Sequence, residues 1–172
     1  MWWSRASATV VIIVALTSLA SCGFKPLYGE HGTSVNSKAL SQVRVKPMRD
    51  RVGQLLYTHL TKGLHARGKA RKPLWELAIN LNKRTERLGI RSDETATRVN
   101  LTVEAKFQLK DLRTRKVAFQ GRSVITISYD ILQSRFGTIA AERNVNERAA
   151  RALGENIQTR VAIFLTSTDR RR

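Results

Sequence analysis

The spacing of apolar positions changes three times between residues 42 and 166, between a period of two and one near 3.6, and the pattern predicts strands and helices in turn. Val43 and Val45 alternate with Gln42, Arg44 and Lys46 up to Pro47, which predicts a short strand with the proline at an edge or at its end. Asp50 suits a helix N-cap, and Val52, Leu55, Leu56, His59, Leu60 and Leu64 then recur at three and four residues until Gly68, an amphipathic helix of about four turns. From Trp75 the period is two again: Trp75, Leu77, Ile79 and Leu81 point one way, with Glu76, Asn80 and Asn82 opposite. Val99, Leu101, Val103, Ala105, Phe107 and Leu109 alternate with polar residues without a break, the clearest one-sided strand in the chain. After the connection DLRTRK, which suits a hairpin, Phe119, Ile125, Ile127 and Tyr129 share the inward face of a further strand. Beyond Asp130 a helical stripe returns with Ala149, Ala152, Leu153, Asn156, Ile157, Val161, Phe164 and Leu165, in a helix beginning as early as Ser134.

The resulting order is β-α-β-β-β-α. Two amphipathic helices and one one-sided sheet close a single core only as two layers, so the expected fold class is α/β of the α+β kind. It is a two-layer sandwich with two helices on one face of a four-stranded mixed sheet. The last three strands form an antiparallel meander, and the first crossover is expected to be right-handed.

The front of the chain follows a different rule. MWWSR carries one positive charge, and residues 6–20 then run uncharged and rich in Val, Ile, Leu and Ala up to Ser21 and Cys22, the only cysteine. That run is short of the roughly 20 apolar residues of a membrane-spanning helix and has a signal-peptide profile. Leu19, Ala20 and Ser21 before Cys22 resemble the lipobox of bacterial lipoproteins. The resemblance implies cleavage before Cys22, a diacylglycerol on its thiol and an acyl chain on the new amino group. Two or more acyl chains anchor stably where one binds marginally. The alternative is an unmodified cysteine in an ordinary exported protein. Four segments follow: signal peptide 1–21, lipidated N-terminus and polar linker 22–41, one domain 42–166, and a polar basic tail 167–172. With one cysteine there is no intramolecular disulfide, so the core alone must hold the fold.

Charge narrows the partner. The chain carries +18, and removal of residues 1–21, with one Arg and no acid, leaves 30 basic against 13 acidic residues, or +17. The charge clusters. Lys83, Arg84, Arg87, Arg91 and Arg98 fall in or beside the connection between the second and third strands, and Lys110, Arg113, Arg115 and Lys116 in the next turn. At about 3.3 Å per residue the third strand sets the clusters roughly 40 Å apart, at opposite ends of the sheet. Solvated charge accounts for most single residues, whereas two basic clusters suit an anionic ligand. Nucleic acid is disfavoured because Trp75, Phe107, Phe119 and Tyr129 are assigned inward, which leaves no stacking platform, and because the export signal leads away from it. A phosphorylated envelope glycolipid fits better.

No catalytic constellation emerges. His59 lies on the apolar stripe of the first helix as a core or boundary residue, His65 is six residues on and off the one-face spacing of paired metal ligands, and His31 lies in the linker. No glycine-rich phosphate loop precedes a helix and the carboxylates are scattered, so neither an enzyme nor a metal site is expected.

CGFKPLYG at 22–29, the element order, SYD at 128–130 and the segment ERNVNERAARALGENIQTRVAIFL resemble the LptE family of lipopolysaccharide-assembly lipoproteins in its alphaproteobacterial form. The resemblance spans essentially the whole mature chain. It implies a non-enzymatic lipoprotein of the Gram-negative outer membrane, anchored on its periplasmic side, that sits in the lumen of the β-barrel LptD, assists its assembly and binds lipopolysaccharide on its way to the outer leaflet. No cofactor is implied beyond the acyl groups on Cys22. Gly23 after the cysteine, rather than Asp, agrees with outer-membrane sorting. No motif carries the family's lipopolysaccharide contacts over to this chain. From charge density and position, Arg84, Arg87, Arg91 and Arg98 are the expected contacts. A free-standing lipid-anchored module for anionic envelope glycolipids or polymers is the other reading of the same charge.

Overall fold

The structure, a computed structural model, describes residues 39–66, 68, 72–90, 96–131 and 134–169. The elements follow the expected order: β1 (Val43–Val45), α1 (Arg51–Leu64), β2 (Trp75–Ile90), β3 (Ala96–Asp111), β4 (Val117–Asp130) and α2 (Arg135–Asp169). The sheet runs β1-β2-β3-β4, with β1 parallel to β2 and the other neighbours antiparallel. It is the four-stranded mixed sheet with two helices on one face that the periodicity predicts.

Parity along the strands decides the layers. Leu77 of β2, the odd-numbered residues Val99 to Leu109 of β3, and Val43 and Val45 are all buried beneath the helices. Alpha1 contributes Val52, Leu56, Leu60 and Leu64, and α2 contributes Val145, Ala149, Ala150, Leu153, Ile157, Val161, Ala162 and Leu165. Asn156, expected on the α2 stripe, is exposed instead. The helices approach each other closely at glycine: a Cβ on Gly154 would lie 3.4 Å from His59 Cβ and 3.5 Å from Leu56 Cδ1. His59 is half-buried there, and His65 Nε2 lies 2.9 Å from the Val43 carbonyl, which ties the end of α1 to β1.

Some boundaries differ from expectation. Beta2 continues from Asn82 to Ile90 and β3 begins at Ala96, so the strands pair from Trp75↔Asp111 as far as Ile90↔Ala96. A helical turn ends at Ser41, and its Leu40, inside the stretch read as linker, is buried in the core. At the other end α2 runs through Asp169, past the expected start of the tail at 167. Thr166 and Thr168 donate back to carbonyls one turn earlier (2.8 and 2.9 Å), so a polar sequence is carried as the last turn of a helix whose apolar stripe ends at Leu165. Asp50 occupies the α1 N-cap position with extended backbone, but its side chain makes no capping bond. No helix among the described residues is long and apolar enough to cross a membrane.

Candidate functional site

The two ends of the sheet are built differently. At the end holding the start of β2 and the β3–β4 turn, Asp111 organises the chain: its Oδ1 accepts from the N–H of Arg113 (2.7 Å) and of Thr114 (3.3 Å), an Asx turn. Those bonds favour the carboxylate, and the Arg113 N–H contributes most to holding the Asp111 pKa below its ordinary value. Arg115 completes the reversal at φ 57, in the left-handed region. Behind this turn Phe164 stacks on Phe119 at 5.0 Å between centroids and meets Trp75 edge-on at 6.2 Å. Phe107 lies 6.0 Å from Phe119, over Gly121 of the neighbouring strand.

Toward the other end the residues of β2 under the helices change from Trp75, Leu77, Ile79 and Leu81 to Lys83, Thr85 and Arg87. A charged side chain cannot be sealed into an apolar layer without a large desolvation cost. The first three turns of α2, correspondingly, bury no side chain; its buried series begins at Val145. A cleft of about 320 Å³ lies between this part of the helix and the sheet, lined by Lys83, Thr85, Arg87, Tyr129, Glu142 and Asn146 among others. Its floor is apolar, made by Val99, Leu101 and Val145. The Tyr129 hydroxyl donates to Glu142 Oε1 at 3.4 Å, and Lys83 Nζ lies 3.5 Å from Asn146 Oδ1. Burial, with the Glu142 charge next, raises the Tyr129 pKa, so Tyr129 remains a donor.

The expected arginine cluster is divided by this arrangement. Arg84, Arg87 and Arg98 lie within paired strands and not in a connection, because the ladder with β3 carries β2 on to Ile90. Arg84 and Arg98 belong to the uncovered face, whereas Arg87, of opposite parity, lies beneath α2. Arg98 Nε contacts Asp130 Oδ1 at 3.0 Å across β3–β4. Arg91 and Cys22 lie outside the described residues. Lys83, set aside when the four arginines were chosen, shares the cleft with Arg87. The signal that could have found the pair is parity: extending the β2 alternation by six residues places 83, 85 and 87 on the helix side.

The uncovered face is a polar lattice. Thr102 and Thr126 Oγ1 are 3.0 Å apart, Ser128 Oγ donates to Asn100 Oδ1 at 2.7 Å, Arg122 Nε meets Glu104 at 2.8 Å, and Arg44 pairs with Glu76. Arg160 of α2 reaches the sheet rim and donates to the Arg122 carbonyl at 2.9 Å. No group of three or more His, Cys, Asp or Glu side chains fit to hold a metal occurs among the described residues.

A family model for lipopolysaccharide assembly, LptE, matches residues 39–161. The chain belongs to the LptE family. That is a family of non-enzymatic lipoproteins with a role in lipopolysaccharide assembly. The match begins at the helical turn before β1 and runs to Val161 of α2, so it covers both the packed end and the cleft. Solved structures repeat the fold. A lipoprotein candidate from Caulobacter crescentus is 24% identical with a TM-score of 0.65, covering 76% of this LptE-family chain and 96% of its own. The rare lipoprotein B of Shewanella oneidensis is 10% identical with a TM-score of 0.56 (74% and 96% covered), and a minor lipoprotein of Acinetobacter baumannii is 18% identical with a TM-score of 0.52 (70% and 88% covered). At these identities the likeness is one of fold. The comparison with curated proteins gives no match.

Proposed function

We propose that this LptE-family protein is an outer-membrane lipoprotein, held by acyl groups on Cys22, that plugs and assists assembly of an LptD β-barrel and binds lipopolysaccharide in transit to the outer leaflet. The observation that carries the reading is the family match over residues 39–161. Two physical features support it. A small domain with an uncovered sheet face of paired charges, hydroxyls and amides suits the polar interior of a large barrel. A mature charge of +17 suits a ligand rich in phosphate, to which Lys and Arg form charge-assisted hydrogen bonds. The basic residues toward the far end of β2 and β3, Arg84, Arg87 and Arg98, together with Arg91, are the proposed contacts for lipopolysaccharide.

The test is affinity purification of the C-terminally tagged chain from detergent-solubilised outer membrane at moderate salt, followed by mass spectrometry. A stoichiometric barrel of LptD type is the expected result. A clean monomer that binds many anions, with affinity falling steeply as salt rises, would instead identify a free-standing anionic-polymer binder. Cys22→Ala tests the anchor: the variant should lose lipid processing and partition away from membrane at high salt in cells that lack the barrel.

A further inference from the structure

We propose that the cleft between the far half of β2 and the first turns of α2 is a binding site for a phosphate monoester, with Lys83 and Arg87 as its cationic ligands. The proposal rests on the reading that the protein handles a phosphorylated glycolipid; it names the group recognised and the side chains that take it. Several cations of the uncovered face are already paired where they stand. Arg98 is paired with Asp130 (3.0 Å), Arg122 with Glu104 (2.8 Å) and Arg44 with Glu76. Among the described residues no carboxylate comes within ion-pair distance of Lys83 or Arg87. Two exposed positive side chains thus line one cleft of about 320 Å³ over an apolar floor, both available to a single ligand.

The spacing suits one anion bound by both. Lys83 and Arg87 are four apart on one strand face, so their Cα atoms are about 13 Å apart at 3.3 Å per residue. Thr85 lies between them on the same face, and all three line the cleft, within reach of one group bound over Thr85. A tetrahedral group there meets the Lys83 ammonium, the fork of the Arg87 guanidinium and a neutral donor from Thr85. A phosphate monoester carries close to two negative charges at neutral pH and so matches two cations, which a carboxylate does not. The opposite wall holds Glu142, which would repel the anion, but its Oε1 already accepts from Tyr129. Two cations against one hydrogen-bonded carboxylate leave the cleft positive. The same chemistry accommodates a phosphate on a lipid headgroup and free inorganic phosphate.

The experiment uses the full chain in mild detergent. Binding of fluorescent lipopolysaccharide is measured for the wild type, for Lys83→Gln/Arg87→Gln and for Arg84→Gln/Arg98→Gln, with thermal melts to confirm folding. In parallel, the Arg87 side-chain NMR signal is followed during titration with inorganic phosphate, in the wild type and in Lys83→Gln. The cleft pair should weaken lipopolysaccharide binding by about tenfold or more, since hydrogen bonds to charged groups are lost; the outer pair, proposed contacts too but with Arg98 already held by Asp130, should weaken it severalfold less. Phosphate should move the Arg87 signal, and Lys83→Gln should suppress that movement. Equal losses for the two pairs, or no loss for the cleft pair, would overturn the site while leaving lipopolysaccharide binding intact. If the wild type binds no lipopolysaccharide yet phosphate moves Arg87 in a Lys83-dependent way, the glycolipid reading fails and the cleft stands as a free-phosphate site. If the double variant does not fold, the Lys83→Gln titration decides alone, and an unaltered phosphate response there overturns the site.

Discussion

One helix, α2, covers both ends of the sheet and does opposite things at them. Over the start of β2 it presses Phe164 onto Phe119 and Trp75, beside the buried Leu77 and Phe107. Over Lys83, Thr85 and Arg87 it leaves a cleft. The backbone is the same on both sides of the change: β2 runs unbroken from Trp75 to Ile90. The parity-matched residues differ, and they set the gap between the layers, because apolar side chains gain by expelling water and charged ones lose. The same topology thus holds a packed aromatic end and an end with an open cleft.

The comparison is broken most severely at Phe107, which is 1% exposed and lies over Gly121. Phe107→Ala should cost about 3–5 kcal/mol in chemical unfolding, since it removes the ring on which the packed end is assembled. Gly121→Ala attacks the same contact from the other strand: its Cβ would lie 2.5 Å from Phe107 Cζ, and a loss of about 1–3 kcal/mol is expected. At the helix crossing the sign reverses. The site of Gly154 has ordinary contact distances for a methyl group, so Gly154→Ala should stabilise by about 0.5–1 kcal/mol. In the cleft, Lys83→Ala should change stability by no more than about 0.5 kcal/mol, because an exposed side chain with no ion pair among the described residues has little folding energy to lose. A large loss there would mean that the cleft is part of the core.

The smallest expected effect is visible only against pH. The Asp111 pKa is lowered on folding, so its contribution is present above the unfolded value of about 3.9 and is lost as pH falls through the folded one. Asp111→Ala should therefore flatten the stability profile below about pH 4 and leave the cleft unchanged. Urea titrations between pH 2 and 6 check the profile, and the phosphate response of Arg87 checks the cleft.

Legibility followed one-sidedness. Beta3 alternates from Val99 to Leu109 without exception, and its buried face was readable. The core stripe of α1 and most of that of α2 were readable for the same reason. The stretch KRTER at 83–87 carries no apolar alternation, so it read as a connection, and four arginines chosen for their density were treated as one group. Leu40 was lost in a polar segment, where a single apolar residue has no period.

The sequence by itself determined the order of elements, the layer each amphipathic segment faces, the charge of the whole and the family resemblance, because each is written in local spacing or in contiguous residues. Only the tertiary structure decided that β2 continues to Ile90, that Arg87 joins Lys83 beneath α2, and that Arg84 and Arg98 lie across the sheet from them. A strand polar on both faces is specified by the hydrogen-bond ladder of its neighbour, here the regular β3, and that ladder forms only when residues far apart in the chain are brought side by side.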